Sequence, residues 1–197
     1  MTVLGLWFVS RSQSKDSGTP ALPTRLKTLV TATWALTFVQ FFLGALTRHM
    51  DAWGVSVTFP QWNSEGFFPD AQLFQYGQVV VHFAHRTTAY IVAVFVLWQW
   101  LSARRVVQAG LLQRTTVTAA ALVGVQILLG AAILWTARGE VVTTLHVMVG
   151  VGLLALNTVS LYIVNSRPSR KATVPIGSER FGSASVPFRI SSVRQHP

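Results

Sequence analysis

Four long apolar runs, separated by polar breaks, dominate the chain: approximately Leu26–Leu46, Gly77–Leu101, Thr115–Trp135 and Val141–Val164. Neither a strand alternation nor a narrow amphipathic stripe organises them; they are apolar all round. Each is long enough for the roughly 20 helical residues that cross a hydrocarbon layer of about 30 Å. Backbone that finds no water there must bond within its own segment, so the runs predict helices. The expected fold is all-α: a polytopic membrane protein whose four-transmembrane-helix bundle is made of two helical hairpins. The predicted domains are a lead over 1–24, the membrane domain over 25–165 and a disordered basic tail over 166–197.

The hairpins echo each other. Helix one carries "FVQFFLGA", Phe38–Ala45, and helix three carries "GVQILLGA", Gly124–Ala131. Both share Val-Gln, three bulky apolar residues and Gly-Ala. Each is followed by a helix with a histidine near its start, His85 in helix two and His146 in helix four. This pattern predicts a duplicated hairpin, an arrangement that places sites at the repeat interface. The connections differ. Thr47–Tyr76 is long and rich in aromatics, which fits an interfacial belt or a lid over an apolar ligand. The turn around "ARGE" is short and makes helices three and four antiparallel neighbours.

Composition agrees with a membrane protein: 51% of the 197 residues are hydrophobic and 11% charged. The net charge of +10 suggests nucleic acid until its placement is read. Of the 16 Lys and Arg residues, only Arg48, Arg86 and Arg138 fall toward one side of a four-span arrangement. The rest lie on the other. That positive-inside bias puts both termini in the cytoplasm, and no aromatic-interleaved basic motif for nucleic acid is present. The chain has no cysteine, which excludes disulfides, thiolate ligands and CxxCH haem attachment. The opening "MTVLGLWFVS" is too short an apolar run for a signal peptide.

The chemistry sits in "VVHFAHRTTAY", Val80–Tyr90. Ionisable groups inside a membrane span mark function by default. With helices two and four both running inward, His85 lies about 12 Å and His146 about 8 Å down, at ~1.5 Å per residue. Two histidines at matched depth on repeat-related helices suit one metal approached from opposite sides. A closed zinc site asks for four ligands, and Glu140 is the one carboxylate near His146. Haem iron asks the protein for two axial ligands only. Arg86 is placed for haem propionates. Ala89 and Gly150, each one turn beyond a histidine, leave room for a porphyrin edge or simply for helix contact. His82 is an alternative ligand, a proton relay or a hydrogen-bonding neighbour of the ligands. Gln40 and Gln126 occupy matched positions and suit interhelical bonds or a site contact.

Together, "VQFFLGALTRH", "FPQW", "HFAHRTTAY", "VQILLGA" and "TTLHVMVG" resemble the haem A synthase family, over about Leu26–Leu161. The resemblance implies an enzyme of the bacterial plasma membrane that oxidises a methyl group of haem O to the formyl group of haem A using a bound haem b. It is a step in cytochrome oxidase cofactor biosynthesis, with an electron acceptor or donor still to be identified. It implies His85 and His146 as the metal-ligating, cofactor-binding pair and Arg86 beside the first. The usual member has eight transmembrane helices in two halves, each with a histidine pair. This chain matches one half, so a two-haem reaction implies a homo-oligomer or a partner half. The family's first half usually carries a glutamate three residues before the helix-two histidine; here His82 stands there and becomes the catalytic candidate. A "TGSG"-like turn is replaced by "MDAWG", while Pro60 and Trp62 remain. The alternatives are a bis-histidine membrane electron-transfer cytochrome, or a non-catalytic cytochrome oxidase assembly protein.

Overall fold

The computed structural model describes residues 22–64, 66–106, 110–167 and 169–170. The expected lead up to residue 21 and the tail beyond residue 170 lie outside these. Four helices build the molecule: α1 (Thr24–His49), α2 (Gly77–Val106), α3 (Leu111–Trp135) and α4 (Glu140–Asn165). All four are long and apolar enough to cross a membrane, and the chain is an all-α integral membrane protein. The helices run two to five residues past most of the apolar runs, because polar residues at the water boundary keep the backbone ladder going. Arg104, for example, folds back over the Trp100 ring at 5.2 Å. Pro23 stands just before α1, where its missing N–H costs nothing.

Helix neighbours form a ring. α1 packs against α2 and α4, and α3 packs against α4 and α2. α2 and α4, the histidine-bearing helices, are therefore diagonal across the bundle. The apolar core is concentrated away from the histidines. One cluster, Leu22, Leu26, Val30, Leu112, Ile163 and Val164, closes the end that carries the basic residues. A second, Val92, Val96, Ala119, Val123 and Leu153, fills the middle.

Buried polar side chains lock the register between these clusters. Asn157 on α4 accepts from Gln99 Nε2 of α2 at 3.3 Å and donates to Thr37 Oγ1 of α1 at 3.4 Å. Thr115 and Ser160 join α3 to α4 at 2.9 Å. Such bonds hold membrane helices together where burial alone gives little drive. Thr33 and Thr37 each donate back to the carbonyl four residues earlier, so their hydroxyls stay satisfied in an apolar setting.

The two ends of the bundle are tied differently. At the basic end, Leu22–Pro23 pair in parallel with Ser169–Arg170, and Lys27 donates to the Arg167 carbonyl. At the opposite, loop end, the connection between α1 and α2 holds two short 3-10 turns, Ala52–Val55 and Ala71–Gln75. The α3–α4 turn is short, as its sequence suggests. It passes through left-handed Ala137 and Arg138, at φ 48° and 66°. Arg138 then forms an ion pair with Asp51 at the end of the first hairpin.

Candidate haem site between two hairpins

The sequence echo becomes a matched geometry. In the first hairpin, Gln40 of α1 places its amide nitrogen 3.0 Å from His85 Nδ1 and 3.0 Å from the His85 carbonyl oxygen. In the second, Gln126 of α3 places its amide nitrogen 3.2 Å from His146 Nε2. Four residues on from each glutamine, one helical turn, comes a glycine on the same face. A Cβ on Gly44 would stand 3.1 Å from His85 Cε1, and one on Gly130 would stand 3.4 Å from His146 Cε1. Each imidazole therefore lies in a notch between a glutamine amide and a bare glycine.

Buried polar atoms normally find a partner. Among the described residues Gln40 Oε1, Gln126 Oε1 and His146 Nδ1 are buried and have none, and the same holds for His82 Nδ1 and, away from the histidines, Gln99 Oε1 and Gln113 Oε1. The first three belong to the two notches and leave lone pairs there for a polar or metallic guest. Among the described residues no group of three or more His, Cys, Asp and Glu comes together. A porphyrin supplies four iron ligands of its own and asks for two more, so a pair of histidines on diagonal helices fits that group. The half-buried state of Gln40, His85, Gln126 and His146 fits it too, since the packed core lies farther toward the basic end.

His82 lies on α2 about one turn before His85. It is buried at 4% exposure, with the Trp62 ring 5.5 Å away and edge-on. It reaches the Ala52 backbone, while its Nδ1 has no partner. Arg86 points elsewhere again. Its Nη1 donates to Ser56 Oγ at 2.8 Å, and its Nη2 donates to the carbonyls of Thr58, Pro60 and Gln61 at 2.9, 3.2 and 3.0 Å. The guanidinium also lies over Trp62, 5.5 Å from the ring centroid. Arg86 thus clamps the long loop onto α2, a role no sequence signal announces. Trp62, 5% exposed, is the loop's plug. Phe67 and Phe68 stay exposed, so the loop is part plug and part interfacial belt.

An apolar pocket of about 160 Å³ lies against that loop, lined by Phe68, Phe83, Arg86, Thr87 and Tyr90 among others. Its α2 residues recur at the spacing of one helix face, and that face is not the one bearing His85 and Ala89. The pocket is separate from the imidazole pair. Ala89 is half-buried one turn below His85. Gly150, one turn below His146, has a more defined duty: a Cβ there would stand 3.1 Å from the Gln126 amide nitrogen. Its bareness makes room for Gln126. Arg48 and His49 end α1 exposed.

The glycine notches make a direct prediction. Gly44→Ala should push the His85 ring and lower the thermal unfolding midpoint of the purified protein, by the equivalent of about 1 kcal/mol or more. Gly124→Ala, with open space around it, should be neutral or slightly stabilising because alanine is the better helix former. Equal midpoints for the two variants would reject the notch.

Comparison with known proteins adds a family. Residues 1–158 match the model of the COX15-CtaA family, described as cytochrome oxidase assembly protein. A heme A synthase of Symbiobacterium thermophilum is 32% identical over 119 residues, which is 60% of this chain and 37% of that relative. The chain thus spans well under half the length of the curated relative it matches. No solved structure matches.

Proposed function

We propose that this chain, which belongs to the COX15-CtaA family of cytochrome oxidase assembly proteins, holds haem b between His85 and His146 and serves the oxidation of haem O to haem A. The observation that carries the reading is the cluster of unpaired buried atoms, Gln40 Oε1, Gln126 Oε1 and His146 Nδ1, around two imidazoles on diagonal helices. A haem bound there supplies the one-electron chemistry that oxidation of a porphyrin methyl group requires.

The protein's own residues do the rest. His85 and His146 would hold the haem iron. Gln40 and Gln126 fix the ring planes, as hydrogen-bonding neighbours of metal ligands do. Arg86 holds the loop down, Trp62 seals its underside, and both keep water from the loop end of the bundle. His82, whose Nδ1 has no partner among the described residues, is a further group able to hold a proton. The chain has one histidine pair, so a reaction between two haems asks for a second copy or a partner half. The electron donor or acceptor is a further partner.

A bis-histidine electron carrier is the second reading. The enclosure of His82 beneath Trp62 favours it, because that packing leaves a large substrate little access to the proton acceptor. One experiment separates the readings. Purified protein should show a low-spin haem spectrum, and acid extraction should release haem B alone from an electron carrier. Haem O or A beside it would mark the synthase. A preparation that binds no haem under haem-replete expression would reject both.

A further inference from the structure

The two notches are built from the same residues, yet the rings sit in them differently. In His85 it is Nδ1 that meets the glutamine amide, and among the described residues Nε2 makes no hydrogen bond. In His146 it is Nε2 that meets the amide, and Nδ1 is the buried atom without a partner. Nε2 is the nitrogen farther from the backbone and the one with the longer reach. His85 offers it free; His146 offers it already engaged.

The sequence supplies a physical reason for the difference. Gly150 follows His146 by one turn, and the Gln126 amide nitrogen lies 3.1 Å from where a Cβ of residue 150 would be. The equivalent position after His85 is Ala89. Gln40 instead spans from His85 Nδ1 to the His85 carbonyl, a two-point hold that fixes the ring by its backbone side. Gln126 makes a single side-chain bond to His146 among the described residues.

We infer that the two axial positions are unequal by construction: His85 is the standing ligand, and His146 is the exchangeable one, held back from the iron by Gln126. This rests on the haem reading and goes beyond it, because it says which face of the haem opens. Coordination by His146 Nε2 must first break the Gln126 bond, a handicap of about fivefold for one neutral hydrogen bond. An exogenous ligand would then compete with His146 rather than with His85. Gln126 is here a positioning residue; it acts through His146.

Carbon monoxide binding to the reduced, haem-loaded protein tests this. Gln126→Leu frees the His146 ring, so it should bind carbon monoxide about fivefold more weakly than the unaltered protein and raise the low-spin fraction. Gly150→Ala should move the same way, by displacing the Gln126 amide without touching either ring. Gln40→Leu should not weaken carbon monoxide binding, since it loosens the ligand on the other face. Equal shifts for Gln126→Leu and Gln40→Leu, or tighter binding in Gln126→Leu, would overturn the inequality while leaving the haem site in place. Absence of a low-spin haem spectrum from the unaltered protein would instead overturn the haem reading from which it starts.

Discussion

Alanine at either His85 or His146 should abolish the low-spin haem spectrum, and alanine at both should reduce haem retained through purification by well over about tenfold. The lower bound follows from neighbours of metal ligands, whose loss alone costs about 10–100-fold; losing a ligand itself costs more. The fold should survive. Neither histidine belongs to the two apolar clusters, and Asn157 and Gln99, which bond to each other, lie about three and four turns along their helices from His146 and His85. Gln40 even retains its bond to the backbone carbonyl of residue 85. Absorption spectra and extracted haem, normalised to protein, are the measurement, with size-exclusion chromatography to report the fold. Unaltered spectra in both single variants would remove these residues from the site.

The second large effect is expected at Arg86, where the chain's own loop is the reporter. Arg86→Met keeps the length and apolar stem of the side chain but leaves the Ser56 hydroxyl and three loop carbonyls without their donor. Each such bond contributes about 1 kcal/mol net. Water replaces part of it at this partly exposed position, which leaves a loss of about 2–3 kcal/mol in loop docking. Backbone amides around Trp62 and Gly66, whose pairing at 2.8 Å closes the loop tip, should then exchange about 30–100-fold faster, by the usual conversion of about 1.4 kcal/mol per factor of ten. Arg86→Lys should recover little, because a single ammonium cannot reproduce the planar fork that reaches several carbonyls at once. Hydrogen exchange across residues 51–76 is the check. Unchanged exchange in the methionine variant would mean that Trp62 alone seats the loop.

How far the sequence reaches is clearest at these same residues. The four spans, the paired Val-Gln…Gly-Ala motifs and the matched histidines are local patterns, and local patterns dictate helices and their faces. They led to the hairpin duplication and the site it frames. Arg86 was legible only as a cation placed for haem propionates. Its partners are backbone carbonyls 25–28 residues away, and carbonyls carry no sequence signature. Gly150 was legible as a small residue at a helix contact. That its neighbour is the Gln126 amide depends on side-chain packing across α3 and α4, where one missing methyl group decides. Helix ends ran past the apolar runs because hydropathy marks where lipid ends, and hydrogen bonding continues into water.

The pairing of Leu22–Pro23 with Ser169–Arg170 gives the molecule the topology of a tile. The chain enters and leaves the bundle at one place on one face of the membrane, after an even number of crossings. A second unit appended there by a short tether starts on the correct side and inserts upright, with no inverted loops and no extra crossing. A block repeated in this way would bring its own imidazole pair at the same depth.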